Sequence, residues 1–410
     1  MPFINRIHYS WIIVFTGILI IVAALGFGRF SLGMLLPSMG SDLALSYSRM
    51  GFIGTGNFIG YLIAVFVCSR LVKRFGYRLI ISLGTFLVGA SMLLIGLADN
   101  FWLVLIPFFF TGIGSGIAYV PVMGLASNWF GSSLRGLASG LLISGIGLGI
   151  MITGLLIPAI NSWMDNGQGW RTNWMIMGGL VLLIGLLSAL LIRDQPGDLG
   201  LQVLEKVGKK EEKQPSRLPD KKPPKSDKRI LFHLGSIYFF FGFTYVIYVT
   251  FVITSLISDY NFTEAVAGRF WFWFGLLGMF SGPLFGSLSD RMGRARTLAL
   301  VYSLQGVSHL LLALNPMPGS VYLSIALFAI SAWSIPSIIA AAVGDYLGPL
   351  KAASGFATAT LFFGLGQITG PSLAGILAEK SGSFSKAYIL ASLLTIVAAA
   401  MCLFLPKTEK

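Results

Sequence analysis

The sequence predicts an all-α membrane protein of twelve transmembrane helices arranged as two pseudo-symmetric six-helix bundles. Three observations predict it. Of the 410 residues, 55% are apolar and only 11% charged, where a soluble domain carries about 25% charged residues; the mean hydropathy is +0.80. Apolar stretches of about 18 to 25 residues, enough to cross hydrocarbon, recur twelve times along the chain. The 50 glycines exceed the average of about 7%, as expected where helices approach closely in lipid.

The first six spans begin near Trp11, Met50, Leu79, Trp102, Leu137 and Trp174, and the second six near Leu231, Phe270, Thr297, Tyr322, Ala353 and Ala387. The first run, Trp11 to about Leu36, is too long for a signal-peptide core and has no small-residue cleavage site. Residues 1–193 are therefore read as one bundle and 230–410 as the other, with a cytoplasmic linker over 194–229. From Arg193 to Arg229 the chain is rich in Lys, Glu and Pro without apolar periodicity. Such a composition cannot bury a core and predicts a flexible connector. Loop charge sets the orientation. With the N-terminus inside, 23 of the 29 Lys and Arg fall on the cytoplasmic side, leaving Arg49, Arg171, Arg269, Lys380 and Lys386 outside and Arg29 within a helix. Both termini are then cytoplasmic. A multi-pass monomer in the cell membrane (plasma or inner), with the lipid bilayer around it, is expected.

Several function classes fall away. The formal charge of +13 is spread over loops, with no compact basic domain for DNA or RNA to grip. Cys68 and Cys402 stand in apolar stretches and form neither disulfide nor metal spacing, so no metal or cofactor is expected. No nucleophile–base constellation occurs within the spans, and the chain is not read as an enzyme.

Two stretches of the first half recur in the second. Ser69-Arg-Leu-Val-Lys-Arg-Phe-Gly76-Tyr-Arg78 echoes Gly286-Ser-Leu-Ser-Asp-Arg-Met-Gly293-Arg-Ala-Arg296, and Asn128-Trp-Phe-Gly131 echoes Asp345-Tyr-Leu-Gly348, at an offset near 217 residues. Repeated six-helix halves mark transporters that rock around a central site. Over nearly its whole length the chain resembles the major facilitator superfamily. Gly286 to Arg296 is close to that superfamily's loop signature, Gly-x-x-x-Asp-Arg-x-Gly-Arg-[Arg/Lys]. The resemblance implies that Asp290, Arg291, Arg294 and, in the first half, Arg74 serve an inner gate latched by a carboxylate at a helix end. Lys73 stands where the first half's acidic residue is usual, and a Lys does not suit a helix N-terminus. A weaker latch is expected there and an intact one, through Asp290, in the second half.

No carboxylate lies mid-span. Asp42, Asp99, Asp165, Asp259, Glu264 and Glu379 fall outside and the other ten of the 16 inside. Cation-coupled carriers often hold a carboxylate within the membrane, so its absence argues against a cation substrate and an acidic proton relay. Arg29 is the basic exception, about 12 Å of helix before Pro37 at 1.5 Å per residue. An Arg at that depth costs about 2.5 to 3.5 kcal/mol to insert. It either snorkels to the outer headgroups or coordinates an anion in the transport path, the favoured reading, since its planar fork suits a carboxylate. Uncharged candidates to share the cavity are Asn57 and Tyr61, four apart on one helix face, Tyr119, Tyr245 and Tyr248, Trp333 and Gln367. Each suits a structural role as well. The resemblance makes the ninth helix peripheral, so His309 is expected to be packed and neutral. Arg269 is expected to be an exposed charge, with Trp271 and Trp273 beside it in an interfacial belt.

Within the superfamily, Gly112-Ile-Gly-Ser-Gly116-Ile-Ala-Tyr119-Val-Pro121, Ser127-Asn-Trp-Phe130 and Ser144-Gly-Ile-Gly147 resemble the monocarboxylate and oxalate/formate porters. Those porters carry a basic residue in the first helix after a Gly-Phe pair, the position of Arg29. Gly26-Phe-Gly-Arg-Phe30…Leu35-Leu-Pro37 is equally similar to the YbfB-type group, from which no substrate can be borrowed. The monocarboxylate porters also place an Asp and an Arg in the eighth helix. Aligned on Pro283, Gly278 and Gly282 stand there instead, so that coupling mechanism does not transfer. The expected function is secondary active or facilitative transport of small organic anions, monocarboxylate-like, by alternating access. Uniport, anion exchange and symport with a proton as coupling ion are all compatible. Efflux of apolar drugs is a rival, suggested by 13% aromatics and the run Gly145-x-Gly147-x-Gly149, although Pro158 comes too late for the fifth-helix motif of drug antiporters. A transporter-like sensor that no longer cycles is another, against which the Gly286 to Arg296 gate argues.

Overall fold

The computed structural model describes residues 8–164, 167–205, 225–314 and 318–406. Helices run in sequence as α1 (Tyr9–Asp42), α2 (Tyr47–Phe75), α3 (Tyr77–Gly96), α4 (Phe101–Trp129), α5 (Ser132–Trp163) and α6 (Gly169–Leu191). In the second half follow α7 (Lys225–Ser258), α8 (Glu264–Met292), α9 (Arg294–Ala313), α10 (Pro318–Ser331 and Ser334–Leu347), α11 (Pro349–Ser381) and α12 (Ser385–Leu403). Among the described residues, 11 helices are long and apolar enough to cross a membrane. The other, α9, has 20 residues, and Arg294, Arg296, Gln305, Ser308 and His309 lower its hydropathy. Helices start a few residues before the apolar runs because polar residues cap or extend them. Asn100 accepts the Trp102 and Leu103 amides at 3.0 and 3.1 Å to cap α4, satisfying donors a helix leaves orphaned.

Among the described residues, two spans are irregular. α1 is π-helical over Val22–Phe30, between the α-helical stretches Tyr9–Ile21 and Ser31–Asp42. α10 breaks at Ala332 and Trp333. Pro336 lacks the amide that would reach the Ala332 carbonyl, and its ring crowds that carbonyl. The Trp333 amide leaves the helix pattern and donates to Ser281 Oγ at 3.2 Å. Gly76, Gly293 and Gly348 each form a whole turn between consecutive helices, at φ +81°, +91° and +77°, a conformation open to glycine alone.

The chain packs as two compact units. One comprises Met1–Ser31, Ile59–Gly149 and Arg171–Lys222, the other Leu32–Phe58, Ile150–Trp170 and Pro223–Lys410. In the first, missing side chains let backbones meet: a Cβ on Gly26 would lie 2.5 Å from Gly149 Cα, and one on Gly114 2.7 Å from Gly84 O. In the second, the later part of α1, the start of α2 and the end of α5 pack on α7, α8 and α11. A Cβ on Gly154 would stand 2.6 Å from Gly268 O, and Gly51 and Gly375 press on the Pro371 and Tyr47 carbonyls. Carboxylates tie this end together. Glu379 Oε2 accepts the Ser48 amide at 3.0 Å, Asp42 Oδ2 the Trp170 indole at 3.1 Å, and Glu264 Oε1 the Asn161 amide group at 2.5 Å.

Two expectations are corrected. Trp271 is 1% exposed and stacks on Phe274 at 5.1 Å, so it belongs to the core of its unit; Trp273, 52% exposed, keeps an interfacial character. The predicted flexible connector is ordered over its first residues, Arg193 to Glu205, because a 3-10 turn at Pro196–Leu199 closes on a capping box. Its remainder, 206–224, lies outside the described residues.

Gly51→Val or Gly375→Val will pry open the end where α2 meets α11. In a background lacking the buried Cys68 and Cys402, a cysteine at Ser48 is expected to react about tenfold faster with a membrane-impermeant maleimide, the equivalent of roughly 1.4 kcal/mol of overpacking. An unchanged labelling rate would show that the seam absorbs the added methyl groups.

Candidate functional site

Arg29 lies in the π stretch of α1 and is 9% exposed. Two of its contacts lie in the first unit. One guanidinium nitrogen donates to Ser115 Oγ on α4 at 3.3 Å, and the guanidinium carbon lies 4.1 Å from the centre of the Tyr61 ring on α2. Ser115 spends its own proton on the Gly112 carbonyl, at 2.9 Å, which leaves a lone pair for Arg29. A cation over a desolvated tyrosine face gains up to about 2 kcal/mol, offsetting much of the cost of a charge at this depth.

The sequence around Arg29 explains why α1 can hold it there. Gly26 meets Gly149, and a Cβ on Gly28 would stand 2.7 Å from Val88 Cγ1 and 3.3 Å from Thr111 Cγ2. α1 therefore lies against α3, α4 and α5 at once. Ser31 Oγ donates to the Phe27 carbonyl at 2.5 Å, occupying an acceptor where the wide turn ends. π turns are rare and frequently mark functional positions.

Tyr119 is half-buried, one turn beyond Ser115 on the same face of α4. Asn57 is fully buried, one turn before Tyr61 on α2. Ser115 was not anticipated from the sequence. The signal was present, because the run Gly112-x-Gly-Ser-Gly116 displays one hydroxyl a turn ahead of Tyr119.

In the second unit, Tyr245, Trp333 and Gln367 come together. Gln367 Nε2 donates to Tyr245 Oη at 2.6 Å. The Tyr245 ring stacks on Phe241 at 4.9 Å and meets Trp333 edge-on at 5.9 Å. Trp333 occupies the break in α10, and Gly278 makes room for it: a Cβ there would lie 2.8 Å from the indole nitrogen. Tyr248, three residues after Tyr245, turns elsewhere. Its ring stacks on Phe328 at 3.8 Å and its hydroxyl pairs with Ser324 Oγ at 3.0 Å. His309 packs beside it, fully buried, with Nδ1 2.6 Å from the Gln305 carbonyl and Nε2 3.3 Å from that of Thr244.

Of the residues assigned to gating, Arg294 and Asp290 meet within the second unit. Arg294 donates from Nε to Asp345 Oδ2 at 2.8 Å and from a terminal nitrogen to Asp290 Oδ1 at 2.6 Å. Partial burial works against its charge, but the Asp345 and Asp290 carboxylates outweigh that and hold its pKa above the usual value. Arg291 is exposed. Arg74 is exposed too, its guanidinium 5.1 Å from the Phe75 ring centre. A cavity of about 670 Å³ opens in the first unit between Phe75, Arg78, Ser82, Arg193 and Asp194, and it holds none of the predicted binding residues. Among the described residues no group of three or more His, Cys, Asp or Glu could hold a metal ion.

With the spans, the doubled turns and Arg29 in place, comparison with known proteins decides the family. The profile described as "Uncharacterised MFS-type transporter YbfB" matches residues 21–403. The chain belongs to the YbfB-type family of major facilitator transporters. Similar proteins include a probable sulfoacetate transporter, SauU, of Cupriavidus necator, 22% identical over 92% of this chain and 89% of that one. A probable hexose phosphate transport protein of Chlamydia trachomatis is 27% identical over 46% of this chain. The chain spans under half the length of that relative, 41%. Among solved structures, a bacterial homologue of the human lysosomal transporter Spinster, inward-facing and occupied, superposes with a TM-score of 0.77 at 15% identity, covering 98% of this chain and 97% of the other. That likeness shows the fold, and it agrees with the family match.

Tyr61→Leu removes the ring face under Arg29 and is expected to lower the stability of the detergent-solubilised transporter by about 1 to 2 kcal/mol, whereas Tyr61→Phe keeps it near wild type. Thermal unfolding followed by intrinsic fluorescence reads the difference. Equal melting of the two variants would mean that the ring face carries no part of the arginine's stabilisation.

Proposed function

We propose that this transporter moves small organic anions, monocarboxylate-like in size and charge, across the cell membrane by alternating access, as a monomer with both termini in the cytoplasm. One observation carries the reading. Arg29 is buried in the π stretch of α1, held between a hydroxyl and an aromatic face, in a chain whose carboxylates all fall outside the middle of its spans. Its contact with Ser115, at 3.3 Å, is long beside the 2.9 to 3.0 Å typical of such bonds. A carboxylate or sulfonate is the stronger acceptor and can take two parallel N–H bonds from the same fork. Tyr61 then acts as the floor beneath the cation and Tyr119 as a donor from α4, while Ser115, its proton held by the Gly112 carbonyl, gives up the guanidinium to the anion. Asn57, Tyr245, Trp333 and Gln367 are assigned to the walls of the path, and Tyr248 to the frame behind them.

The relatives support an anionic cargo. Sulfoacetate and hexose phosphates, named for two of them, are organic anions. Asp290, Arg291 and Arg294 are assigned to the inner gate of the second half, with Arg74 on the first-half side. Binding shifts the carrier's conformational balance only through unequal affinity for its states, and neutralising a buried guanidinium supplies such an inequality. Transport coupled to a proton, exchange of anions and uniport are separated by flux at imposed gradients.

The test is uptake of labelled sulfoacetate and pyruvate into proteoliposomes, with thermal-shift titration of a carboxylate and sulfonate panel. Arg29→Ala, at wild-type abundance and folding, is expected to reduce uptake to background, and Arg29→Lys to retain about a tenth, a loss near 1.4 kcal/mol for one missing charge-assisted bond. Normal uptake by Arg29→Ala would remove the anion assignment.

A further inference from the structure

The two latch sites of the sequence repeat differ in their charges. In the second unit Arg294 bridges Asp290 and Asp345, joining the α8–α9 turn to the end of α10. At the repeat offset of 217 residues those three positions become Tyr77, Lys73 and Asn128, so every charge of the bridge is changed. The turn between α2 and α3 instead meets a carboxylate from beyond α6. Asp194 Oδ1 accepts the Arg78 amide at 2.8 Å, and its carboxylate lies against Gly76, where a Cβ would collide with it.

The segment carrying Asp194 is anchored along its length. Asn128 Nδ2 donates to the Asp194 carbonyl at 3.1 Å, and the Trp129 indole to that of Arg193 at 3.0 Å. Asp198 Oδ2 accepts the Asp194 and Gln195 amides at 3.1 and 3.2 Å. Leu204 then pairs with the end of α4 as a short parallel bridge, its amide on the Trp129 carbonyl at 3.1 Å and its carbonyl on the Gly131 amide at 3.0 Å. Arg78 Nε closes the circuit on the Ala189 carbonyl of α6 at 2.7 Å.

We propose that Asp194 is a positioning residue of this transporter, and that the strap Arg193 to Glu205 replaces the charge latch the first half has lost. A carboxylate at a helix N-terminus is stabilised by the orphan amides and the helix dipole, so one anion from the linker does what an ion-pair triad does in the other unit. It fastens the α2–α3 turn to the ends of α4 and α6, and the Lys/Arg-rich end of the first unit moves as one piece. Asn128 is kept as a donor to the strap, where its counterpart Asp345 is an acceptor for Arg294. The assignment does not depend on which solute is carried.

Hydrogen–deuterium exchange of the full chain in lipid nanodiscs tests it without any ligand. Asp194→Ala is expected to raise exchange about fivefold or more, the usual effect of losing a cap, in the first turn of α3, the last turn of α4 and residues 195–204, with the other helices unchanged. Adding Lys73→Asp, Tyr77→Arg and Asn128→Asp to that variant rebuilds the second unit's triad in the first. It is expected to restore protection to α3 and α4 but not to the strap. Wild-type protection in Asp194→Ala, loss spread through both units, or a rebuilt triad that restores nothing would each overturn the proposal.

Discussion

Lipid tails are as apolar as leucine, so helices in a bilayer gain little by hiding hydrophobic surface from one another. Close packing must hold them together, and this chain achieves it with glycine. Where Gly26 faces Gly149 and Gly84 faces Gly114, backbones touch without intervening side chains. The same device recurs in the second unit, where Gly366 and Gly370 seat α11 on α7. Arg29 depends on this arrangement. With side chains at Gly26 and Gly28, α1 would stand off from α3, α4 and α5, and the guanidinium would lose Ser115 and Tyr61 together.

Polar chemistry is sorted by depth. Carboxylates concentrate at helix ends, where backbone amides and indoles satisfy them, as Glu379, Asp42 and Asp259 show. Within the spans, hydroxyls and amides pair with each other or with carbonyls, as in Ser308 with Ser324 and Gln367 with Tyr245. Among the described residues, regular helix is interrupted within a span around Arg29 and at Trp333. Both are positions where a side chain of unusual size or charge has to be accommodated within a span. Discontinuous helices free backbone groups that a carrier can turn to recognition.

Much of this was legible in the sequence for identifiable reasons. Span number, the two echoes and the isolated Arg29 follow from hydropathy and spacing, which depend on local composition. The π stretch was not visible, because Val22 to Phe30 reads as ordinary helix and the widening answers to neighbours on other spans. The break in α10 left a trace in Pro336, masked by the apolar run around it. Trp271 was misplaced since an aromatic near a span end looks the same whether it faces lipid or a neighbouring helix. The strap was missed by averaging: Asp194-Gln-Pro-Gly-Asp198 carries turn and capping residues, but the Lys- and Pro-rich stretch beyond it dominated the composition. Ser115 is inconspicuous because it stands among the glycines of Gly112-Ile-Gly-Ser-Gly116, which also carry the family resemblance.

Gly76, Gly293 and Gly348 each join two helices with no residue to spare. Such hinges fix azimuth as well as direction. One amino acid inserted beside any of them would swing the following span by about 100°, the angular step per residue at 3.6 residues per turn. α3, α9 or α11 would then present bulky side chains where its small residues now nestle, and the bundle could not close around them. The loops that look shortest on paper are therefore the least forgiving places to lengthen, tag or graft, and they fix the phase in which neighbouring cylinders interlock.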